Sequence, residues 1–158
     1  MLIWRLSGKK HAKKFDGGYG LECDGRWNTK GRPITYCSTS PAVCLLEKLV
    51  HFENPDLIPP QEIVRYDVPD DLLVETLTLR DLPAGWRHQE DLTRQLGDKW
   101  LASLQGPLLR VPSAVVPVDQ SPDANFLINH NHSAVSRITL ISEPFIIDPR
   151  LSRPRFAP

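Results

Sequence analysis

Ser40-Pro41-Ala42-Val43-Cys44-Leu45-Leu46-Glu47-Lys48-Leu49-Val50-His51 is the stretch on which the reading of the fold turns. Serine is a favoured N-cap, and proline at the first helical position loses nothing, because the N–H there has no intrahelical partner. Ala42, Val43, Leu46, Leu49 and Val50 then recur at helical spacing and predict a buried stripe. A rotation of about 100° per residue sets Glu47 beside Val43 and Val50, on the border of that stripe, and turns Lys48 toward water. A glutamate is therefore expected half-buried at a core edge, partly desolvated yet able to reach a ligand.

On the N-terminal side of this helix, Ile34 to Ser38 reads as a strand, β-branched and aromatic, introduced by the turn pair Arg32-Pro33. Leu2 to Leu6 reads as a first strand and Lys9 to Lys14 as a solvated basic segment. Gly17-Gly18-Tyr19-Gly20 reads as a flexible loop. On the C-terminal side, Glu62 to Val68 and Leu72 to Leu77 are expected as strands. Glu90 to Ser103 is expected as a second amphipathic helix, weakened by Gly97 and anchored by Leu92, Leu96, Trp100 and Leu104. Leu108 to Pro117 reads as a strand interrupted at Pro112, and Asn125 to Asn129 as a helical turn or loop. Arg137 to Ile141 and Phe145 to Ile147 complete the strands. Helices and strands mix without a regular βαβ alternation. The expected class is α+β: one small domain over residues 1–150 with a curved, mixed sheet, and a frayed tail over 151–158.

The composition narrows the function. A chain of 158 residues with 41% hydrophobic side chains can build one sizeable core. Nineteen basic and nineteen acidic residues cancel, so the basic field of a nucleic-acid binder is missing and no direct contact with nucleic acid is expected. Fifteen prolines favour short elements and ordered loops over a helical bundle. Cys23, Cys37 and Cys44 are odd in number and form no Cys-x-x-Cys pair, which points to a reducing cytoplasm and not to a disulfide framework. Met1 to Arg5 lacks the apolar run of a signal peptide, and no stretch is long enough to span a bilayer.

Four groups could carry chemistry, and each has two readings. Arg26, in Gly25-Arg26-Trp27-Asn28, is either a fork for phosphate or a surface arginine stacked on Trp27. Tyr36 is either an aromatic platform or a core tyrosine with its hydroxyl at the surface. Glu47 is either half of a salt bridge or a carboxylate placed to stabilise an oxocarbenium-like transition state. Ser113, after Pro112, either bonds its own backbone in a turn or holds a ligand oxygen, and no triad or Gly-x-Ser-x-Gly elbow makes it a nucleophile. His130 and His132 form a His-x-His pair with no further ligand at a characteristic spacing, so no metal is expected. Neither a P-loop nor a Gly-x-Gly-x-x-Gly motif is present, so any dinucleotide is not held in the Rossmann manner.

Taken in order, these residues resemble the RES-domain toxins of bacterial RES–Xre toxin–antitoxin modules. The resemblance runs through Trp4-Arg5, Gly25-Arg26-Trp27-Asn28, Gly31, Ile34-Thr35-Tyr36 and Glu47 to His51. It continues through Gly97-Asp98-Lys99-Trp100, Val111-Pro112-Ser113-Ala114-Val115, Asn125-Phe126-Leu127-Ile128-Asn129 and His132. Residues 54–94 contribute least. The family often has Asn-Pro before its last histidine, where this chain has Asn129-His130-Asn131-His132.

The resemblance implies a fold like that of the ADP-ribosyltransferase toxins, a small α+β domain with a split sheet around an NAD cleft, with NAD+ as substrate and no other cofactor. It implies Arg26, Tyr36 and Glu47 as catalytic residues, with Ser113, Trp27, Asn125 and His132 joining Arg26 and Tyr36 in binding the substrate. Water, inorganic phosphate as a co-substrate, and a protein side chain all stay open as the acceptor. The implied partner is an Xre-family helix-turn-helix antitoxin that occludes the cleft.

Overall fold

The computed structural model describes residues 1–51 and 58–151; beyond Leu151, the expected tail lies outside the described residues. Seven strands form one mixed sheet: β1 (Leu2–Gly8), β2 (Ile34–Ser38), β3 (Gln61–Asp67), β4 (Val74–Thr76), β5 (Leu108–Pro112), β6 (Ala124–Asn129) and β7 (Thr139–Phe145). Their spatial order is β4-β5-β6-β2-β1-β3-β7, antiparallel throughout except for the parallel pair β4–β5. Helices α1 (Lys9–Ala12), α2 (Gly18–Glu22), α3 (Pro41–Leu49) and α4 (Glu90–Ser103) accompany it. The α+β class and the mixed sheet match the expectation.

The sheet is nearly two sheets. Strands β1 and β2 meet at the single pair Trp4↔Ser38, whereas β1 and β3 pair along their whole length. A seam of this kind leaves backbone groups without ladder partners, and buried carbonyls need donors. Here the Cys44 thiol, from α3, donates to the Trp4 carbonyl oxygen at 3.1 Å. Helix α3 thus sits over the seam, packing Cys44 against Leu6 and Ile63. Its start is as expected, with the Ser40 hydroxyl accepting from the Val43 N–H at 3.2 Å.

The buried side of α3 differs from the predicted stripe. Val43 and Cys44 are buried, and Glu47 and Lys48 are half-buried, whereas Ala42 is exposed and Leu46 and Val50 are 43% and 60% exposed. The helix is short and wedged on the seam, so the anchor at Cys44 chooses the 43–44–47–48 edge over the more apolar one. Lys48 therefore does not point freely into water; burial lowers its pKa, with Arg5 adding to the shift.

Three other elements depart from expectation. Asn125 to Asn129 is not a turn but part of the central strand β6. Phe126, Leu127 and Ile128 are buried in succession because both faces of this strand are covered. The two expected C-terminal strands are one, β7, and it tolerates Pro144 because it is a sheet edge. The glycine-rich loop holds the one-turn helix α2, entered through Gly17 at φ +70°.

Each sheet face carries its own core. One face packs Ile3, Val64, Tyr66, Leu108, Phe126 and Ile128. The other gathers Trp27, Ile34, Trp86, Leu109, Val111 and Leu127 beneath α4. The α4 residues that are buried are Thr93, Gly97, Trp100 and Leu101, while Leu104 is an exposed left-handed cap and no anchor. Among the described residues no helix is long and apolar enough to cross a membrane.

Candidate functional site

Side chains of alternate residues share a sheet face. Tyr36 and Ser38 of β2 therefore project on the side covered by α4, as do Asn125 and Leu127 of β6 and Val111 of β5, which are their cross-strand partners. Ser113 follows two residues after Val111, just beyond the end of β5. Glu47 reaches the same place from α3. Its Oε1 accepts from the Ser113 hydroxyl at 2.7 Å and from the Asn125 amide Nδ2 at 2.6 Å. Three elements distant in sequence thus converge on one carboxylate at the end of the seam.

The donors have little freedom. Ser113 is fully buried, and its Oγ accepts from the N–H groups of Val115 at 3.1 Å and Val116 at 3.0 Å. With its lone pairs so occupied, its hydrogen is directed at Glu47. Ser113 closes a turn, as the first of its two readings has it, and its hydroxyl is given to Glu47 and not to a ligand oxygen. Neither donor uses Oε2 of Glu47.

Tyr36 is tied at its other end. Its hydroxyl donates to Asn28 Oδ1 at 2.7 Å and accepts from the Trp27 N–H at 3.0 Å. Asn28, fully buried, donates through Nδ2 to the Cys23 and Thr29 carbonyls, which fixes which end of its amide faces the phenol. Burial drives the Tyr36 pKa far above that of a free tyrosine, against a smaller lowering by the Trp27 N–H. A phenol so bonded is no proton donor to a substrate; what it offers is a partly buried ring, with the exposed Tyr19 edge-on to it at 6.2 Å. Gly25 makes the contact possible, since a Cβ there would fall on the Tyr36 hydroxyl and on Asn28 Oδ1.

Arg26, the next residue, lies on the α4 side of the sheet. Its Nη1 donates to the Arg87 carbonyl at 3.0 Å, its Nη2 meets Glu90 at 3.5 Å, and its guanidinium stands 6.0 Å from the centroid of the Trp86 ring, not over Trp27. The Glu90 contact is long and open to water, so it holds the arginine weakly. An anion arriving at Nη2 would displace it.

The structure does not bring every candidate together. Trp27 is 1% exposed inside the core and presents no face to a ligand. His132 caps the 3-10 turn Ser133–Arg137 by accepting from the Ala134 N–H at 3.2 Å. It lies past the far end of β6, and Asn125 is four residues, about 13 Å, from Asn129 at that end. The structure brings neither the Trp27 side chain nor that of His132 to Glu47. His130 is bonded to Thr35 Oγ1 at 2.8 Å and packed edge-on to Phe15, and burial lowers its pKa to about 4. Among the described residues no group of three His, Cys, Asp or Glu side chains is placed to hold a metal.

Sequence reasoning gave no role to Ser38, Tyr19 or Asn28, although Asn28 stands in the quoted Gly25-Arg26-Trp27-Asn28. Ser38 and Asn28 are ordinary residues whose value lies in what folds against them. Tyr19 was hidden in a stretch read as a loop.

Two open concavities, of about 490 and 670 Å³, are lined by residues 88–92 and by residues 77–80, 110, 112 and 118–124. Glu90, the partner of Arg26, lines the first, and Pro112 and Ala124, the chain neighbours of Ser113 and Asn125, line the second. Neither includes Glu47 or Tyr36.

Replacing Tyr36 by phenylalanine separates its two roles. The substitution leaves Asn28 Oδ1 and the Trp27 N–H without their partner, at a cost of about 1–3 kcal/mol, and keeps the ring. Thermal melting should fall by several degrees, while activity of the folded protein stays within a few-fold. A Tyr36→Ala protein should lose activity as well.

The RES domain family model matches residues 2–148. Toxin Res of Pseudomonas putida is 36% identical over 156 residues, covering 96% of this chain and 99% of that protein. The Prs ADP-ribosylating toxin of a Sphingobium species is 32% identical over 159 residues, with 96% of each chain covered. Among solved structures, a chain of the M. tuberculosis MbcT–MbcA toxin–antitoxin complex superposes with a TM-score of 0.71 at 18% identity, covering 91% of this chain and 83% of that one. The match of the family model over almost the whole chain, joined to these full-length relatives, makes this protein a member of the RES domain family.

Proposed function

We propose that this protein is the toxin of a toxin–antitoxin pair and that it cleaves the bond between nicotinamide and ribose in NAD+. The observation that carries the reading is the clamped carboxylate: Glu47 is held at Oε1 by Ser113 and Asn125, on the same sheet face as Tyr36 and Arg26. Such an arrangement fits a reaction in which positive charge develops on a sugar. The bond from ribose C1′ to the nicotinamide nitrogen breaks, its electron pair stays with that nitrogen, and the pyridinium leaves as neutral nicotinamide. An acceptor oxygen then adds to C1′ and loses its proton. The leaving group needs no acid, so the protein's task is to orient the substrate and stabilise the cation.

In this reading Arg26 takes the phosphates in place of Glu90, the Tyr36 ring orients the nicotinamide end, and Oε2 of Glu47 faces the ribose. The names of the relatives support a toxin, and the solved toxin–antitoxin complex supports an antitoxin partner, for which we propose an Xre-family helix-turn-helix protein covering this cleft. Modification of a protein is the second reading, favoured by the relative named as an ADP-ribosylating toxin. A non-catalytic nucleotide binder would show affinity without turnover.

The test is to incubate purified protein with NAD+, with and without inorganic phosphate and with and without a cell extract, measuring nicotinamide and the masses of the products. Free ADP-ribose, its 1″-phosphate and a modified protein identify water, phosphate and a side chain respectively as the acceptor. No nicotinamide under any condition overturns the proposal.

A further inference from the structure

Ser38 makes no hydrogen bond to Glu47 itself, yet the site leans on it. It ends β2, pairs with Trp4 across the seam on one side and with Asn125 on the other, and is 4% exposed. Its Oγ donates to Asn125 Oδ1 at 2.7 Å, and Asn125 Nδ2 donates in turn to Glu47 Oε1 at 2.6 Å. The three groups form a directed chain: hydroxyl to amide oxygen, amide nitrogen to carboxylate.

An asparagine amide has an acceptor end and a donor end of nearly the same shape, so only its partners decide which way it faces. Turned over, Asn125 would set its carbonyl oxygen against the Glu47 carboxylate, acceptor to acceptor. The Ser38 hydroxyl opposes that state by giving Oδ1 a donor where it now stands. Without the hydroxyl, Oδ1 is left part-buried and unbonded, and the amide is held at its Nδ2 end alone, by Glu47. Ser113 cannot replace the lost hold, because its hydroxyl hydrogen already goes to Glu47 and none is left for Asn125 Oδ1.

We infer that Ser38 is a positioning residue for the reaction: acting through Asn125, it holds Glu47 so that Oε2 meets the ribose. The inference rests on the NAD+-cleaving reading and adds a residue that touches neither substrate nor the reacting atoms. Its effect belongs to the step in which charge develops, so it acts on kcat more than on KM.

A double-mutant cycle tests it with the whole protein. Nicotinamide release is followed for the wild type, Ser38→Ala, Asn125→Ala and the double variant, with thermal melts alongside. Ser38→Ala should lower kcat roughly tenfold to a hundredfold, the scale of a misplaced reacting group, with KM within about twofold of the wild type. Once Asn125 is alanine, removing the Ser38 hydroxyl should change kcat by less than about twofold. Two full effects that multiply would overturn the inference, as would an unchanged kcat in a folded Ser38→Ala protein. A second readout does not need turnover. The side-chain amide protons of Asn125 should give a single slowly exchanging pair by NMR in the wild type and a shifted or broadened pair in Ser38→Ala. An inert wild type would defeat the NAD+ reading alone; an amide indifferent to Ser38 would defeat this inference whatever the reaction is.

Discussion

Glu47→Gln should leave the protein folded and slow nicotinamide release by roughly 10²–10³-fold, the loss seen when one preorganised electrostatic stabiliser is removed. The fold should survive because the substituted side chain keeps what Oε1 does now. An amide oxygen can still accept from Ser113 Oγ and Asn125 Nδ2, the two bonds that join α3 to the ends of β5 and β6. What disappears is the charge. The other end of the amide offers N–H groups to a ribose acquiring positive charge, an interaction of the wrong sign. Since positive charge moves from the nicotinamide ring onto the ribose only as the bond breaks, the loss should appear in kcat, with KM little altered. The assay needs a melt beside it, and the expected pair of results is an unchanged melting temperature with a rate reduced by at least a hundredfold. A folded Glu47→Gln protein with the full rate would remove this residue from the mechanism.

The same comparison shows how far the sequence alone reaches. Helix α3 and the edge position of Glu47 were legible because a serine cap, a first-turn proline and a helical period are local signals. The buried side of α3 was not, because the anchor that selects it is Cys44, whose partners Leu6, Ile63 and the Trp4 carbonyl come from distant strands. Strand β6 was missed for a related reason. A run such as Phe126-Leu127-Ile128 has no alternating period when both faces are covered, and the asparagines at its ends look like turn residues until their partners are known. Asn129 bonds the Leu101 carbonyl at 3.0 Å, and Asn125 bonds Glu47 and Ser38. Trp27 and His132 stood in the right order along the chain, but order says nothing of direction: one side chain turns into the core and the other lies beyond the far end of β6.

Gly97 gives the sharpest contrast between local and tertiary reasoning. Taken as a residue in a helix interior, it weakens α4, and alanine in its place should stabilise the protein by about 1 kcal/mol. Docked against the segment that carries Arg26, it has the opposite sense. A Cβ on Gly97 would fall on the Trp27 carbonyl oxygen and stand 2.7 Å from the carbonyl carbon. Both sides of the clash are backbone, so no side chain can rotate away. The helix must retreat, and three attachments retreat with it. Thr93 Oγ1 donates to the Arg26 carbonyl at 2.6 Å, Arg94 Nε to the Gly25 carbonyl at 3.0 Å, and Asp98 accepts from the Thr29 N–H at 3.0 Å and from its hydroxyl at 2.7 Å. Overpacking costs about 1–3 kcal/mol, and each weakened hydrogen bond adds about 0.5–1.5 kcal/mol, which exceeds the helix-propensity gain. Gly97→Ala should therefore lower the melting temperature by roughly 10 °C for a chain of this size. Whatever folded protein remains should also cleave NAD+ more slowly, since Arg26 travels with the displaced segment. The sign of the change decides: a higher melting temperature would mean that α4 does not lie against Trp27 as closely as the structure places it, and that the position of Arg26 owes nothing to Gly97.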